Sequence, residues 1–168
     1  MKIEEKEGKL IVTDFNEIEA YRIASKIEKD GIGFYEKLSS AAKNKELKNA
    51  LRFLLQEEKK HLKFFEDCLT KLRQEKEDVW EDDDLLTSLD YGIFQPYQSI
   101  EQLENILRDA GKALRLGLII EEKSIKFYEI CREKISGLQA KKEISYIIDE
   151  ENRHKQLLED VLTNIGQQ

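Results

Sequence analysis

Residues 47–72 read LKNALRFLLQEEKKHLKFFEDCLTKL, and their spacing decides the fold. Leu47, Leu51, Leu54, Phe65, Cys68 and Leu72 recur every three or four residues, the period of an amphipathic helix. Glu58 and His61 stand on that same stripe, where apolar residues would be expected. Three further segments show the same spacing. One runs through Tyr21, Ala24, Glu28, Gly31, Tyr35, Leu38 and Ala42. Another runs through Leu103, Leu107, Ala110, Leu114, Gly117, Glu121, Ser124, Tyr128, Cys131 and Ile135. The last runs through Ile144, Ile147, Glu151, His154, Leu158, Val161 and Ile165. Such seams predict a single all-α domain over residues 1–168, a four-helix bundle with helices at about 15–43, 45–73, 100–136 and 138–165.

The second half of the chain repeats the first at an offset of 93 residues. Glu28, Tyr35, Glu58 and His61 recur as Glu121, Tyr128, Glu151 and His154, and Ile27, Phe34 and Glu36 recur as Ile120, Phe127 and Glu129. No insertion is needed, so the bundle reads as two related helical hairpins. Within each hairpin the glutamates lie equally far from the turn, which falls beside Asn44 in one half and Gly137 in the other, both natural cap residues. All four glutamates therefore belong to one layer. Residues 74–99, with Trp80, the run Glu81-Asp82-Asp83-Asp84 and Pro96, are long enough to return along a helix, which predicts a crossover with a short helix around Asp84–Asp90. Leu10-Ile11-Val12 suggest a short extended or dimer-contacting segment before helix one, with Thr13, Asp14 or Asn16 as its cap.

Composition narrows the function classes. A net charge of −7 with basic residues scattered among acids argues against a nucleic-acid surface. No apolar run reaches the ~18 residues of a membrane span, and Met1–Glu7 is too acidic for a signal peptide. The expected location is cytoplasmic. Two distant cysteines give neither a disulfide framework nor a zinc site, and Cys68 and Cys131 are expected as buried reduced thiols. The acidic run at 81–84 reads as a solvated loop.

Four carboxylates facing one another in a helical core repel and carry a heavy desolvation cost. Two divalent cations would balance them, with neutral His61 and His154 completing the shell. Each Glu-x-x-His places carboxylate and imidazole one turn apart on a helix face. The expected metal ligands are thus Glu28, Glu58, His61, Glu121, Glu151 and His154, with Glu58 and Glu151 bridging and Glu28 and Glu121 terminal. This donor set suits iron, with manganese possible. Tyr35 and Tyr128 are candidates to hydrogen-bond a ligand carboxylate on a neighbouring helix, or are simply core aromatics. Ala24, Gly31, Gly117 and Ser124 flank the terminal glutamates, leaving either a pocket or a close helix contact.

The ligand pattern resembles that of ferritin-like di-iron carboxylate proteins. Ala20–Ala24, Lys26–Gly31, Phe34-Tyr35-Glu36 and Glu57–His61 are similar to the rubrerythrin-like branch of that superfamily, over residues 14–165. The resemblance implies a non-haem di-iron centre, peroxide or oxygen redox chemistry, and often a homodimer. Rubrerythrins also carry a rubredoxin-like domain with two Cys-x-x-Cys pairs. This sequence holds none, so electrons are expected from a separate, rubredoxin-like protein. Ser124 stands where rubrerythrins usually have an additional carboxylate, which bears on the peroxidase activity. Bacterioferritins hold haem through a methionine, and Met1 is the only one here. The functional expectation is an oxidoreductase that reduces peroxide or oxygen. The alternative is a ferroxidase-type iron-handling protein without true turnover.

Overall fold

The computed structural model describes residues 2–6, 9–13, 16–75, 93, 106 and 109–166. Four long helices dominate them: α1 Glu17–Ala41, α2 Lys45–Glu75, α3 Ala110–Lys134 and α4 Leu138–Gly166. The protein is an all-α, ferritin-like four-helix bundle in this sense, with one addition. Strands β1 (Lys2–Lys6) and β2 (Lys9–Thr13) pair antiparallel ahead of α1, with Lys2 opposite Thr13 and Lys6 opposite Lys9. The extended segment expected at Leu10–Val12 is the second of these strands. No described helix is long and apolar enough to cross a membrane.

Three of the four helices start beside a side chain that accepts one of the first free N–H groups. Asn16 caps α1 in a capping box: its Oδ1 accepts from Glu19 N at 3.0 Å, and Glu19 Oε2 accepts from Asn16 N at 2.8 Å. Asn44 caps α2 through Leu47 N at 2.9 Å. Gly137 offers its carbonyl to Lys141 N at 3.0 Å at the start of α4.

The third helix differs from its expected extent. It starts at Ala110, not near residue 100, because Asp109 holds an extended backbone (φ −121°, ψ 110°) and its side chain accepts from Lys112 N at 3.0 Å. A cap inside a register of apolar residues leaves the periodicity intact, so spacing alone did not reveal the break. Leu103, Leu107, Trp80, Pro96, the acidic run and the helix expected at Asp84–Asp90 lie outside the described residues.

The helices pair as α1 with α2 and α3 with α4, and the hairpins meet through α1 with α3 and α2 with α4. Tyr35 meets Glu121 while Tyr128 meets Glu28, so α1 and α3 run antiparallel. Since α1 and α2 are antiparallel as well, α2 and α3 point the same way. The chain between them therefore links opposite ends of the bundle, as the crossover reading requires. Leu51, Leu54, Leu114, Ile144, Ile147 and Leu158 fill the core with no exposed surface. A Cβ on Gly117 would stand 3.0 Å from Leu158 Cδ1, so at this position the small residue serves close helix packing.

Candidate metal centre

Halfway along the bundle the apolar seam is interrupted by six polar side chains, at least one from every helix. Glu28 comes from α1, Glu58 and His61 from α2, Glu121 from α3, and Glu151 and His154 from α4. None is more than 5% exposed. The helical pitch stacks each Glu-x-x-His pair on one face, and the antiparallel α2/α4 contact brings the pairs together head to tail. Donor atoms of Glu58, His61, Glu151 and His154 lie within 4.8 Å of one another, a group that could hold a metal ion.

Glu151 addresses both rings. Its Oε1 lies 3.2 Å from His61 Nδ1 and its Oε2 3.1 Å from His154 Nδ1. Glu28 and Glu121 approach the histidines from the other two helices, with Glu28 Oε2 at 3.6 Å from His61 Nδ1 and Glu121 Oε2 at 3.8 Å from His154 Nδ1. The imidazoles stack with centroids 5.1 Å apart and planes 17° from parallel.

The tyrosines add a reciprocal cross-tie. Tyr35 on α1 donates its hydroxyl to Glu121 on α3, and Tyr128 on α3 donates to Glu28 on α1. Both rings are fully buried. They bind the glutamates that the sequence reading took as terminal, on the neighbouring helix. Burial, with the adjacent carboxylates, holds both phenols well above their ordinary range, so they act as donors.

Electrostatics show what the layer lacks. Burial and the charges of Glu28 and Glu151 push Glu58 well above the usual carboxylate range. Burial and the facing Glu151 do the same to Glu121. Burial also acts against ionised Glu28, but the neighbouring Glu58 and His61 and the Tyr128 hydroxyl outweigh it and hold this carboxyl low. His61 is opposed by burial, yet Glu151 and Glu28 carry it up to about 11. His154 is pulled down, chiefly by burial. In the metal-free layer Glu58, Glu121 and His61 are therefore held towards their protonated forms.

Even so, Glu28 Oε2, both nitrogens of His61 and Nε2 of His154 are buried without a hydrogen-bond partner among the described residues. Buried polar atoms left in this way cost about 1–3 kcal/mol each. Hard carboxylates and imidazoles converging with unused lone pairs fit divalent metal, and the donor set fits the group that the sequence implies.

A family model described as Rubrerythrin matches residues 3–82, from β1 to beyond the end of α2, a span that holds Glu28, Glu58 and His61. Residues 3–82 are rubrerythrin-like. Comparisons with curated proteins and with solved structures found no match. The rubrerythrin-like half supplies three of the six buried polar residues, and the internal repeat supplies the other three from beyond the matched span.

Sequence reasoning missed a second polar group at the turn end of the bundle. Tyr21 donates to Glu143 Oε2, Gln139 Nε2 holds Glu143 Oε1 at 2.9 Å, and Cys68 lies beside them. Glu143 falls off the α4 seam, so no spacing signal marked it. Cys68 and Cys131 are buried free thiols, as expected. Burial and Glu143 push the Cys68 thiol up to about 12, and burial alone raises Cys131.

Proposed function

We propose that the layer binds two iron ions through Glu28, Glu58, His61, Glu121, Glu151 and His154, and that the protein is a non-haem di-iron oxidoreductase reducing peroxide or oxygen with electrons from an external donor. The observation that carries this reading is the convergence of two Glu-x-x-His pairs and two further glutamates in one buried layer with donor atoms unused. Glu151 reaches both histidines with one oxygen each, which supports its bridging role, and the internal repeat gives Glu58 the same role. Glu28 and Glu121, each fixed by a tyrosine of the opposite hairpin, serve as terminal ligands. Bound iron would supply the electrons for reduction. The protein's part is to hold six donors in place, release their protons when metal enters, and exclude bulk water from a layer that is almost wholly buried. Manganese fits the same donors.

The homodimer and the rubredoxin-like electron donor belong to this reading, as does a cytoplasmic location. The deciding experiment is metal analysis of protein purified and loaded with iron without oxygen, followed by rapid mixing with peroxide and with oxygen. Two irons per chain, and oxidation faster with peroxide than with oxygen, are expected. Fewer than one iron per chain would sink the di-iron centre. A solution assembly of shell size in place of a dimer would favour the iron-handling alternative.

A further inference from the structure

The two halves of the bundle are alike at the polar layer and differ beyond it. Tyr128, hydrogen-bonded to Glu28, stacks on Phe65 with centroids 5.8 Å apart and planes 29° from parallel. Phe65 in turn lies 5.9 Å from Tyr21. All three rings are buried, at separations where aromatic pairs are in contact. The positions that would extend the same file from Tyr35, each 93 residues from Phe65 and Tyr21, are Leu158 and Leu114. At these repeat-related positions aromatic rings stand on one side only, while Tyr35 and Tyr128 each also touch the phenylalanine before them.

The far end of the file differs in the same way. Glu143 and Cys68 correspond to Ala50 and Val161 in the repeat, so the equivalent place in the other half is apolar. With Tyr21, these two residues line a cavity of about 240 Å³ beside Gly137 and Gln139. Filling the core does not require this arrangement, since leucines fill the other half. What the tyrosine, the carboxylate and the connecting rings add is redox and proton chemistry.

We propose that Tyr128, Phe65 and Tyr21 form an electron path between the metal layer and this cavity, with Tyr21 as its redox-active end and Glu143 as the proton acceptor. The path rests on the reading of the layer as a redox metal centre. Peroxide takes two electrons, and where the centre holds only one to give, the second would leave Tyr21 through Phe65 and Tyr128. The Tyr21 hydroxyl proton passes along the existing hydrogen bond to Glu143 Oε2, leaving a neutral tyrosyl radical beside a protonated carboxyl. A one-electron reductant at the cavity then returns the electron, and Glu143 returns the proton. Burial and Glu143 raise the Tyr21 phenol well above its ordinary range, so proton and electron move together. A branch through Phe64 reaches Tyr146, which is 51% exposed and has no carboxylate hydrogen-bonded to its hydroxyl among the described residues.

The test is freeze-quench electron paramagnetic resonance of iron-loaded protein after excess peroxide, with iron content measured on the same samples. The wild type should show a tyrosyl radical. Tyr21→Phe should lose it at unchanged iron content, and Phe65→Leu, which copies the other half of the repeat, should lose it too. Radical formation in the wild type should slow in heavy water; Glu143→Gln should lower its yield and abolish that slowing, while Tyr146→Phe should leave the signal as in the wild type. A radical that persists in Tyr21→Phe, or disappears in Tyr146→Phe, would overturn the path while leaving the di-iron reading intact. Absence of bound iron in the wild type would overturn both.

Discussion

Glu58 is the residue on which the polar layer turns. It faces Glu28, Glu121 and Glu151 in a dry core, and burial with those charges drives it towards its protonated form. Glu58→Ala is expected to lower iron binding to at most one ion per chain while leaving a folded helical bundle. Metal analysis and circular dichroism on one sample check both statements, and retention of two irons would refute the bridging role. The protonation pattern also fixes a pH dependence for the metal-free protein. Glu58, Glu121 and His61 all hold protons more tightly folded than unfolded, the last up to about 11. The folded state then binds more protons over the range above the ordinary carboxylate and imidazole values, so stability falls as pH rises there. His154 and Glu28, both shifted down, act the other way, Glu28 only at and below the ordinary carboxylate range. Melting temperature of the metal-free protein should therefore decline from mildly acidic to alkaline pH, whereas iron affinity should rise over that range as the ligands lose protons. Tyr128→Phe leaves Glu28 without its hydroxyl donor. It should cost about 1–3 kcal/mol of stability and roughly ten- to hundredfold in metal affinity, measured by denaturant titration and by metal competition.

At the scale of the helices, boundaries are set by side chains that accept the first N–H groups. Asn44 holds α2 through Leu47 N, and α2 carries Glu58 and His61. Asn44→Ala should reduce stability by about 1 kcal/mol without changing metal stoichiometry, because the cap lies several turns from the layer. Thermal unfolding followed by metal analysis separates the two effects. The seams of α1, α2 and α4 were readable because apolar residues at helical spacing need no partner to be recognised. The start of α3 was not, since Asp109 interrupts the helix without disturbing the spacing around it. The strand pairing of Lys2–Lys6 with Lys9–Thr13 was half legible: Leu10-Ile11-Val12 announced an extended stretch, but its partner Lys2–Lys6 is charged and gave no signal.

For the whole molecule, the polar layer sets local chemistry against global stability. Hairpins that meet through four buried carboxylates are held apart by repulsion unless protons or cations intervene. Binding of iron to the folded state alone should raise stability by about 2.7 kcal/mol at a free concentration a hundred times the dissociation constant. Chelation should reverse that gain in a calorimetric scan. An unchanged melting temperature on chelation would show that the layer is not linked to folding.

The sequence by itself determined the four seams, the repeat at 93 residues and the six polar positions that interrupt the apolar pattern, because helical periodicity and repetition are properties of order along the chain. It also placed Tyr35 and Tyr128 on those seams. Only the tertiary structure decided that each tyrosine reaches the glutamate of the opposite hairpin, that Glu151 serves both histidines, and that Phe65 joins Tyr128 to Tyr21. Those contacts depend on which helices are neighbours and at what height. Crossing and register are set by packing among all four helices, which no single seam encodes.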